Sequence, residues 1–150
     1  MTITASQAAE WIAPRMEGWE DVPKTTNILQ WYMNNELCGV ATEGDQIRGV
    51  ACVRFLNHTE EGLEPYSHDP KGSVTWVELV VADKGVAIAS LFRLLWDKYG
   101  RRPFVAYRRG LKDGKIRTFT ISMFDKMNAL SERRTELHGG LSNVFRAETI

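Results

Sequence analysis

The sequence predicts an α/β domain in which a mixed, mostly antiparallel sheet carries helices on both faces. Val74–Ala82 is β-branched and almost continuously apolar, which is typical of a strand covered on both faces. The following residues, up to Gly100, place apolar side chains three and four positions apart, which is a helical spacing. Residues 104–107 form the next apolar stretch. A strand, a helix and a strand joined by short connections predict a parallel crossover.

The length and composition are those of one globular domain. The chain has 150 residues, of which 43% are hydrophobic and 25% charged. We predict a folded domain at residues 1–130 and a polar tail at residues 131–150. No stretch approaches the about 20 apolar residues of a membrane span, and the first residues lack the pattern of a secretory signal. No membrane association is therefore expected.

The charges are distributed unevenly although the formal net charge is zero. Residues 1–83 contain 5 Lys/Arg and 13 Asp/Glu, whereas residues 84–150 contain 14 and 6. This asymmetry favours self-association, an anionic ligand on the basic half, or contacts between the two halves. Charges dispersed over a solvated surface are the alternative. A pI of about 6.8 and the lack of a basic-aromatic motif argue against a nucleic-acid-binding protein.

Two helices are predicted before the first strand. The first covers residues 4–13, with Thr4 or Ser6 as its N-cap. The second begins at Thr25 or Thr26, carries a strongly apolar face and ends at a pair of asparagines. These aromatic-rich helices are expected to cover one face of the sheet.

A β-hairpin follows, with strands at residues 37–42 and 47–57 joined by the turn EGDQ. Its register decides whether Cys38 and Cys52 face each other. A loop of three or five residues would place them opposite, and one of two or four would put them on different faces. In either register we expect reduced, small core residues rather than a disulfide.

The remaining elements alternate between strand and helix. They are a loop at 57–71, the strand Val74–Ala82, a helix ending at Gly100, a strand at 104–108, a short strand at 116–119, and a helix from Thr120 to residue 130. Asp83 is the expected N-cap of the central helix.

One carboxylate interrupts the central apolar strand. Glu78 lies on the side of Trp76 and Val80 if side chains alternate strictly. A carboxylate there needs a hydrogen bond or a charged partner. It is either a general base or the partner of Arg48 or Arg54 on the neighbouring strand.

Two other groups of residues have both a functional and a structural interpretation. Tyr107 is either a general acid or a half-buried core residue. His58 and His68, with Asp69, are either metal ligands or part of a solvated loop, and their spacing matches no standard metal site. No metal is therefore predicted.

The clearest signal in the composition is a basic segment of eight Lys/Arg within 20 residues, Lys98 to Arg117. It would receive a phosphate, the acidic surface of a protein partner or nucleic acid, or it is a solvated turn paired with acids of the first half. The residues predicted to bind a partner are Arg101, Arg102, Arg108, Arg109, Lys112 and Lys115.

The order of elements resembles the GNAT superfamily of acyl-CoA-dependent N-acetyltransferases. The similar parts are the hairpin LCGVATEGDQIRGVACVRF, the strand WVELVVAD and the long helix after it. The resemblance implies a single GNAT-like domain, acyl transfer to an amine with Glu78 as base and Tyr107 as acid, and phosphate binding by backbone amides of the following turn. The residues of that turn are Asp83, Gly85, Val86 and Ala87.

The turn departs from the family's pattern. A family member normally shows Gln/Arg-x-x-Gly-x-Gly/Ala, and this chain reads ADKGVAIAS with only Gly85. Toxin-activating lysine acyltransferases, which accept acyl groups from acyl-carrier protein, depart similarly. FVAYRRGLKDGKIRTF is similar to their strand, turn and Gly-Lys segment, but WIAPRMEGWEDVP has no counterpart of their histidine.

Small GNAT-like proteins of tailed bacteriophages, including virion proteins, often also depart from the family's Gln/Arg-x-x-Gly-x-Gly/Ala motif. The resulting expectation is a non-catalytic binding or assembly protein, cytoplasmic or in a virion, that needs no cofactor and acts through a protein partner or self-association. The basic segment and the tail would make those contacts. The alternative is an acyltransferase that uses acyl-CoA or acyl-carrier protein.

Overall fold

The computed structural model describes residues 3–59, 64–83, 85–108, 114–126 and 142–144. The mixed sheet has the strand order β5-β4-β3-β2-β1-β6. Strands β3 and β4 are parallel, and the other neighbouring pairs are antiparallel. The predicted α/β class and the parallel crossover are thereby confirmed. The elements are α1 (Ala5–Ile12), α2 (Val22–Asn34), β1 (Cys38–Glu43), β2 (Gln46–Leu56), β3 (Val74–Ala82), α3 (Gly85–Tyr99), β4 (Phe104–Arg108), β5 (Ile116–Thr120) and β6 (Ser142–Val144).

Among the described residues, no helix is both long enough and apolar enough to cross a membrane.

The first helix begins as predicted and the second begins earlier. Thr4 caps α1 by accepting the N–H of Gln7 at 3.1 Å. The N-cap of α2 is Asp21, whose carboxylate accepts the N–H of Lys24 at 3.1 Å. The prediction that Thr25 or Thr26 caps α2 was therefore wrong. A proline in the first turn costs nothing there, so the helix extends one turn further towards the N-terminus.

The register of the hairpin places Cys38 directly opposite Cys52. Its loop is only two residues long, Gly44 and Asp45, and such a loop alone would put the cysteines on different faces. A β-bulge at Arg48 adds one residue to β2 and restores the opposite placement. Both thiols are free and buried, as expected, and burial raises the pKa of the Cys52 thiol.

The two faces of the sheet hold different helices. Thr75 accepts a hydrogen bond from Trp96 of α3 at 3.2 Å, so its face of the sheet is covered by α3. Helices α1 and α2 pack against each other and against β1 and β2. Cys52 belongs to the opposite face of β2 because it alternates with Ala51, which shares the side of Gly39 and α3.

Two glycines allow α3 to lie close to the sheet. A Cβ atom at Gly49 would lie 3.1 Å from Leu91 Cδ1 and 3.3 Å from both Ala87 Cβ and the Val81 carbonyl oxygen. A Cβ atom at Gly39 would lie 3.2 Å from Leu91 Cδ2. This close contact sets the position of α3 relative to β3.

The C-terminal part of the chain returns to the sheet. Thr120 accepts the N–H of Met123 at 3.4 Å at the start of a helical segment that the structure describes at 121–126. The predicted continuation to residue 130 lies outside the described residues. Ser142–Val144, in the segment predicted as a tail, adds strand β6 to β1. The rest of residues 131–150 also lies outside the described part.

We expect Gly49→Ala to lower the free energy of unfolding by about 1–3 kcal/mol, because Ala87 Cβ and the Val81 carbonyl cannot rotate away. Gly39→Ala is the matched control. Its new methyl group would contact only leucine side chains, which can adjust, so its stability should change by less than about 1 kcal/mol. Urea denaturation measures both. Equal effects of the two substitutions would contradict this account of α3 packing.

Candidate active site

Strands β3 and β4 separate halfway along β3. Their paired residues run from Val74 and Phe104 to Val77 and Tyr107. From Glu78 onward, β3 has no partner on the β4 side within the described residues. A cavity of about 260 Å³ lies at this point. Ligands of α/β proteins commonly bind outside the carboxyl ends of parallel strands, where this cavity lies.

The cavity is bounded by both sides of the sheet and is mainly apolar. The polar residues of its lining, Glu78, Tyr107 and Arg108, come from β3 and β4. The apolar ones come from β3, from α3, from the residues after α1 and from the helical segment 121–126. They are Met16, Val77, Leu79, Val80, Ile88, Phe92 and Phe124.

A β-bulge makes Glu78 the extra residue of β3. Cys52 of β2 is opposite Leu79, whereas the next residue, Val53, is opposite Val77. Glu78 is therefore left between two pairs. The bulge lies where β3 also loses its other neighbour, so the backbone near Glu78 is released from the regular ladder on both sides.

The bulge changes which side chains share a face. Arg54 is opposite Trp76, and Cys52 is opposite Leu79, so Trp76 and Leu79 lie on the same face although they are three residues apart. Strict alternation had placed Val80 on that face, which was wrong because a bulge adds a residue.

The carboxylate of Glu78 is held by a neighbour on its own strand. The indole Nε1 of Trp76 donates a hydrogen bond to Glu78 Oε2 at 3.0 Å. Hydrogen bonds to charged groups are stronger than neutral ones. This contact supplies the hydrogen bond that a carboxylate in an apolar strand requires, and it orients the side chain of Glu78.

Tyr32 and Cys52 are close enough to Glu78 for its charge to affect them. Burial is the main cause that raises the pKa of the Tyr32 hydroxyl, and the negative charge of Glu78 adds to it. The same two causes act on the Cys52 thiol, together with the neighbouring Cys38. Tyr32 and Cys52 thus remain protonated. Because Tyr32 belongs to α2, Glu78 lies on the face of the sheet that α2 covers.

The two arginines considered as partners of Glu78 make other contacts. Arg48 Nε lies 3.1 Å from Glu43 Oε1, and its Nη1 lies 3.5 Å from Asp83 Oδ2. Arg54 is buried, and its Nη1 donates to the carbonyl of Glu64 at 2.7 Å. Each arginine therefore joins β2 to a neighbouring loop or turn.

Tyr107 approaches the cavity from the α3 face. It is opposite Val77, which alternates with Thr75 and therefore lies on the α3 side. Its half-buried ring stacks on Phe119 of β5, with the centroids 5.8 Å apart. Glu78 and Tyr107 start from opposite faces, and the gap between β3 and β4 brings them into one cavity.

The residues predicted to bind the donor's phosphates lie at the start of α3. Helix α3 begins at Gly85, and Ile88 in its first turn lines the cavity. The side chain of Ala87 packs towards Gly49, so it would offer a ligand only its backbone N–H. The first amides of a helix, which include that of Val86, have no partner within the helix and are suited to anions.

Asp83 has a structural role just before this helix. Its Oδ1 is 3.1 Å from Arg15 Nε, and its Oδ2 is 3.5 Å from Arg48 Nη1. Asp83 N–H also donates to the carbonyl of Arg48 at 2.8 Å. These contacts connect the chain after α1, strand β2 and the turn into α3. Helix α3 begins at Gly85, two residues after Asp83, and the expected capping role of Asp83 stays a prediction because residue 84 lies outside the described residues.

Two arginines of the basic segment bind groups within the chain. Arg101 forms an ion pair with Asp125. Arg102 donates to the carbonyls of Gly72 at 2.7 Å and Pro70 at 2.9 Å, and its guanidinium lies 4.0 Å from the ring centroid of Phe55. Arg101 and Arg102 thus stabilise the connection between α3 and β4.

The other predicted partner-binding residues follow β4. Arg108 Nη1 donates to the carbonyl of Gly114 at 2.7 Å, and Arg108 lines the cavity. Lys115 is exposed. Arg109 and Lys112 lie outside the described residues. Arg108 is therefore part of the candidate site.

The histidines considered as metal ligands lie on different parts of their loop. His58 is exposed, whereas His68 Nδ1 accepts the N–H of Phe55 at 3.1 Å. Asp69 receives the N–H of Lys71 and the side chain of Asn57. In the part of the chain that the structure describes, no three metal-binding side chains come together.

The fold and the cavity define an α/β protein with a carboxylate and a phenol in an apolar site between parallel strands. No family model, curated protein or solved structure matches the chain. A function therefore has to be inferred from the residues of the cavity.

The sequence identified Glu78 and Tyr107 as candidate catalytic residues, but it placed Arg108 among the partner-binding residues and missed most of the cavity walls. Phe92 and Phe124 are apolar residues of two predicted helices, and neither they nor Met16 were singled out as site residues. The position of Arg108 directly after Tyr107 was the one available signal, since both lie at the end of a strand. The walls come from four separate elements, which no local pattern connects.

The hydrogen bond that His68 Nδ1 accepts from the N–H of Phe55 depends on pH. Burial lowers the pKa of His68 below its usual 6.5; the charges of Arg102 and Arg54 act in the same direction and that of Asp69 opposes them. A protonated Nδ1 cannot accept the N–H of Phe55. Because the folded-state pKa lies below the unfolded one, the stabilisation is present above 6.5 and is lost as the pH falls through the folded-state pKa.

We expect the free energy of unfolding to decrease below pH 6.5, and this decrease to be smaller in His68→Gln. His58→Gln is the matched control, because His58 lies exposed in the same loop, and it should keep the dependence. Urea denaturation across this pH range measures all three proteins. An identical pH dependence in the three would show that His68 does not contribute to it.

Proposed function

We propose that this protein transfers an acyl group from a thioester to an amine. The observation that supports the proposal is the presence of Glu78 and Tyr107 in one cavity, at the point where β3 and β4 separate. A carboxylate and a phenol that reach one site from two sides are suited to removing one proton and supplying another.

The two residues would act on opposite ends of the reaction. Glu78 removes a proton from the incoming amine, whose nitrogen attacks the thioester carbonyl carbon. As the tetrahedral intermediate breaks down, the new C–N bond remains and the C–S bond breaks. Tyr107 donates its proton to the leaving thiolate. Solvent then reprotonates the phenolate of Tyr107 and takes up the proton held by Glu78. Trp76 is a positioning residue, because its indole N–H holds the carboxylate of Glu78.

The arrangement of the strands supports a donor with an extended arm. From Glu78 to Ala82, the edge of β3 that faces away from β2 has no strand partner within the described residues. Free backbone groups on such an edge bind extended chains as an added strand does. The first turn of α3, at Gly85 and Val86, follows directly and suits the donor's phosphates. The resemblance to the GNAT superfamily points to the same class of reaction.

We expect Glu78→Gln to lower kcat/KM for acyl transfer about 10²–10⁴-fold, because the amide cannot accept the proton. Tyr107→Phe should give a loss in the same range and a changed dependence on thiol leaving-group pKa. Thiol release from acetyl-coenzyme A in the presence of primary amines measures both. Asp97→Asn, on the exposed side of α3, is the matched control and should retain the activity. Unchanged transfer by Glu78→Gln would overturn the role of Glu78.

Titration calorimetry separates the catalytic proposal from a binding or assembly role. Saturable binding of acetyl-coenzyme A or of an acylated carrier protein in the micromolar range, roughly −8 kcal/mol, together with thiol release is the expected result. Failure of both donors, with a discrete oligomer or a copurifying protein in native mass spectrometry, would instead support a non-catalytic assembly protein, of the kind found in virions.

A further inference from the structure

We infer that the cavity selects a medium-length saturated acyl chain of about eight carbons rather than an acetyl group. This inference rests on the proposed function, because it specifies the acyl group of the donor. It is carried by the chemistry of the cavity walls and by the cavity's volume, neither of which depends on the catalytic roles of Glu78 and Tyr107.

The walls have the chemistry of a chain-binding site. Polar lining groups come only from β3 and β4, at Glu78, Tyr107 and Arg108. The other lining side chains are all apolar, and Ile88 and Phe92 from α3 and Phe124 from the helical segment form a continuous wall. The rings of Phe92 and Phe124 meet edge to face, 4.9 Å apart. A ligand with one polar end and an apolar tail would satisfy both parts.

The volume of the cavity is too large for an acetyl group. An apolar cavity of about 150 Å³ holds a benzene molecule, which has six carbon atoms, so a cavity of about 260 Å³ holds roughly ten non-hydrogen atoms. An acetyl thioester would bring its carbonyl, methyl and sulfur and leave most of the apolar wall uncovered. A thioester carbonyl followed by about seven methylene and methyl carbons would fill the space.

The affinity should therefore grow with chain length and then stop growing. Each buried methylene should improve the dissociation constant about fourfold. Once the cavity is full, additional carbons remain in solvent or clash with the wall, so the gain ends. A plateau or a maximum near eight carbons is the specific signature of a chain-binding site of limited depth, since non-specific hydrophobic adsorption continues to increase with length.

The test uses S-acyl-N-acetylcysteamine thioesters from acetyl to dodecanoyl, which are neutral and lack the phosphates of the natural donors. Their dissociation constants are measured with the unmodified full chain by competition or calorimetry. The expected result is a fourfold improvement for each carbon up to about eight carbons. Affinity that is independent of chain length, or that falls from acetyl onward, would overturn the inference, as would an increase that continues to dodecanoyl.

Substitutions of Ile88, which is half-buried, change the depth of the site. We expect Ile88→Trp to shorten the preferred chain by about two carbons and Ile88→Ala to lengthen it by about two, from the volume that each adds or removes. Leu94→Trp is the matched control, since Leu94 is also half-buried on α3 but does not line the cavity, and its chain-length profile should stay unchanged. Similar shifts in all three variants would contradict a specific role of the cavity.

Measuring binding and transfer on the same series distinguishes the two proposals. Transfer that is fastest with acetyl would leave the acyltransferase in place and overturn the chain-length inference. Binding with a plateau near eight carbons but no transfer to any amine would leave the chain site in place and overturn catalysis. Absence of both would overturn both proposals.

Discussion

The candidate site depends on the interruption of backbone pairing at Glu78. Strand β3 is central in the sheet, and two regular neighbours would bury a carboxylate there without access to a ligand. A bulge against β2 and the end of pairing with β4 occur at the same residue. The interruption opens a cavity, and the indole of Trp76 provides the hydrogen bond that stabilises the carboxylate.

The position of α3 is the second constraint on the cavity. Gly39 and Gly49 remove side chains from the sheet where the helix crosses it, so Leu91 packs almost directly on the backbone. This brings Ile88, which lies one turn before Leu91, and Phe92, which follows Leu91 directly, against the gap between β3 and β4. The small residues of the hairpin thus shape a cavity to which they contribute no side chain.

Buried and half-buried arginines stabilise the connections around this framework. Arg54 binds the carbonyls of Glu64 and Ser67 from inside the fold, and Arg102 binds those of Pro70 and Gly72. Backbone carbonyls of a long loop need donors when they leave water. Arg102, a cation of the basic second half of the chain, thus satisfies carbonyls of a loop in the acidic first half.

The sequence by itself determined the class of fold, the limits of β3 and the crossover to β4, because hydrophobic period and helix-stop signals are local properties. It also singled out Glu78 and Tyr107. The bulges at Arg48 and Glu78, the opposite placement of the cysteines and the walls of the cavity were decided only by the tertiary structure. A bulge depends on how two strands fit each other, and a cavity depends on which side chains distant elements bring together. Neither is encoded in a short stretch of residues.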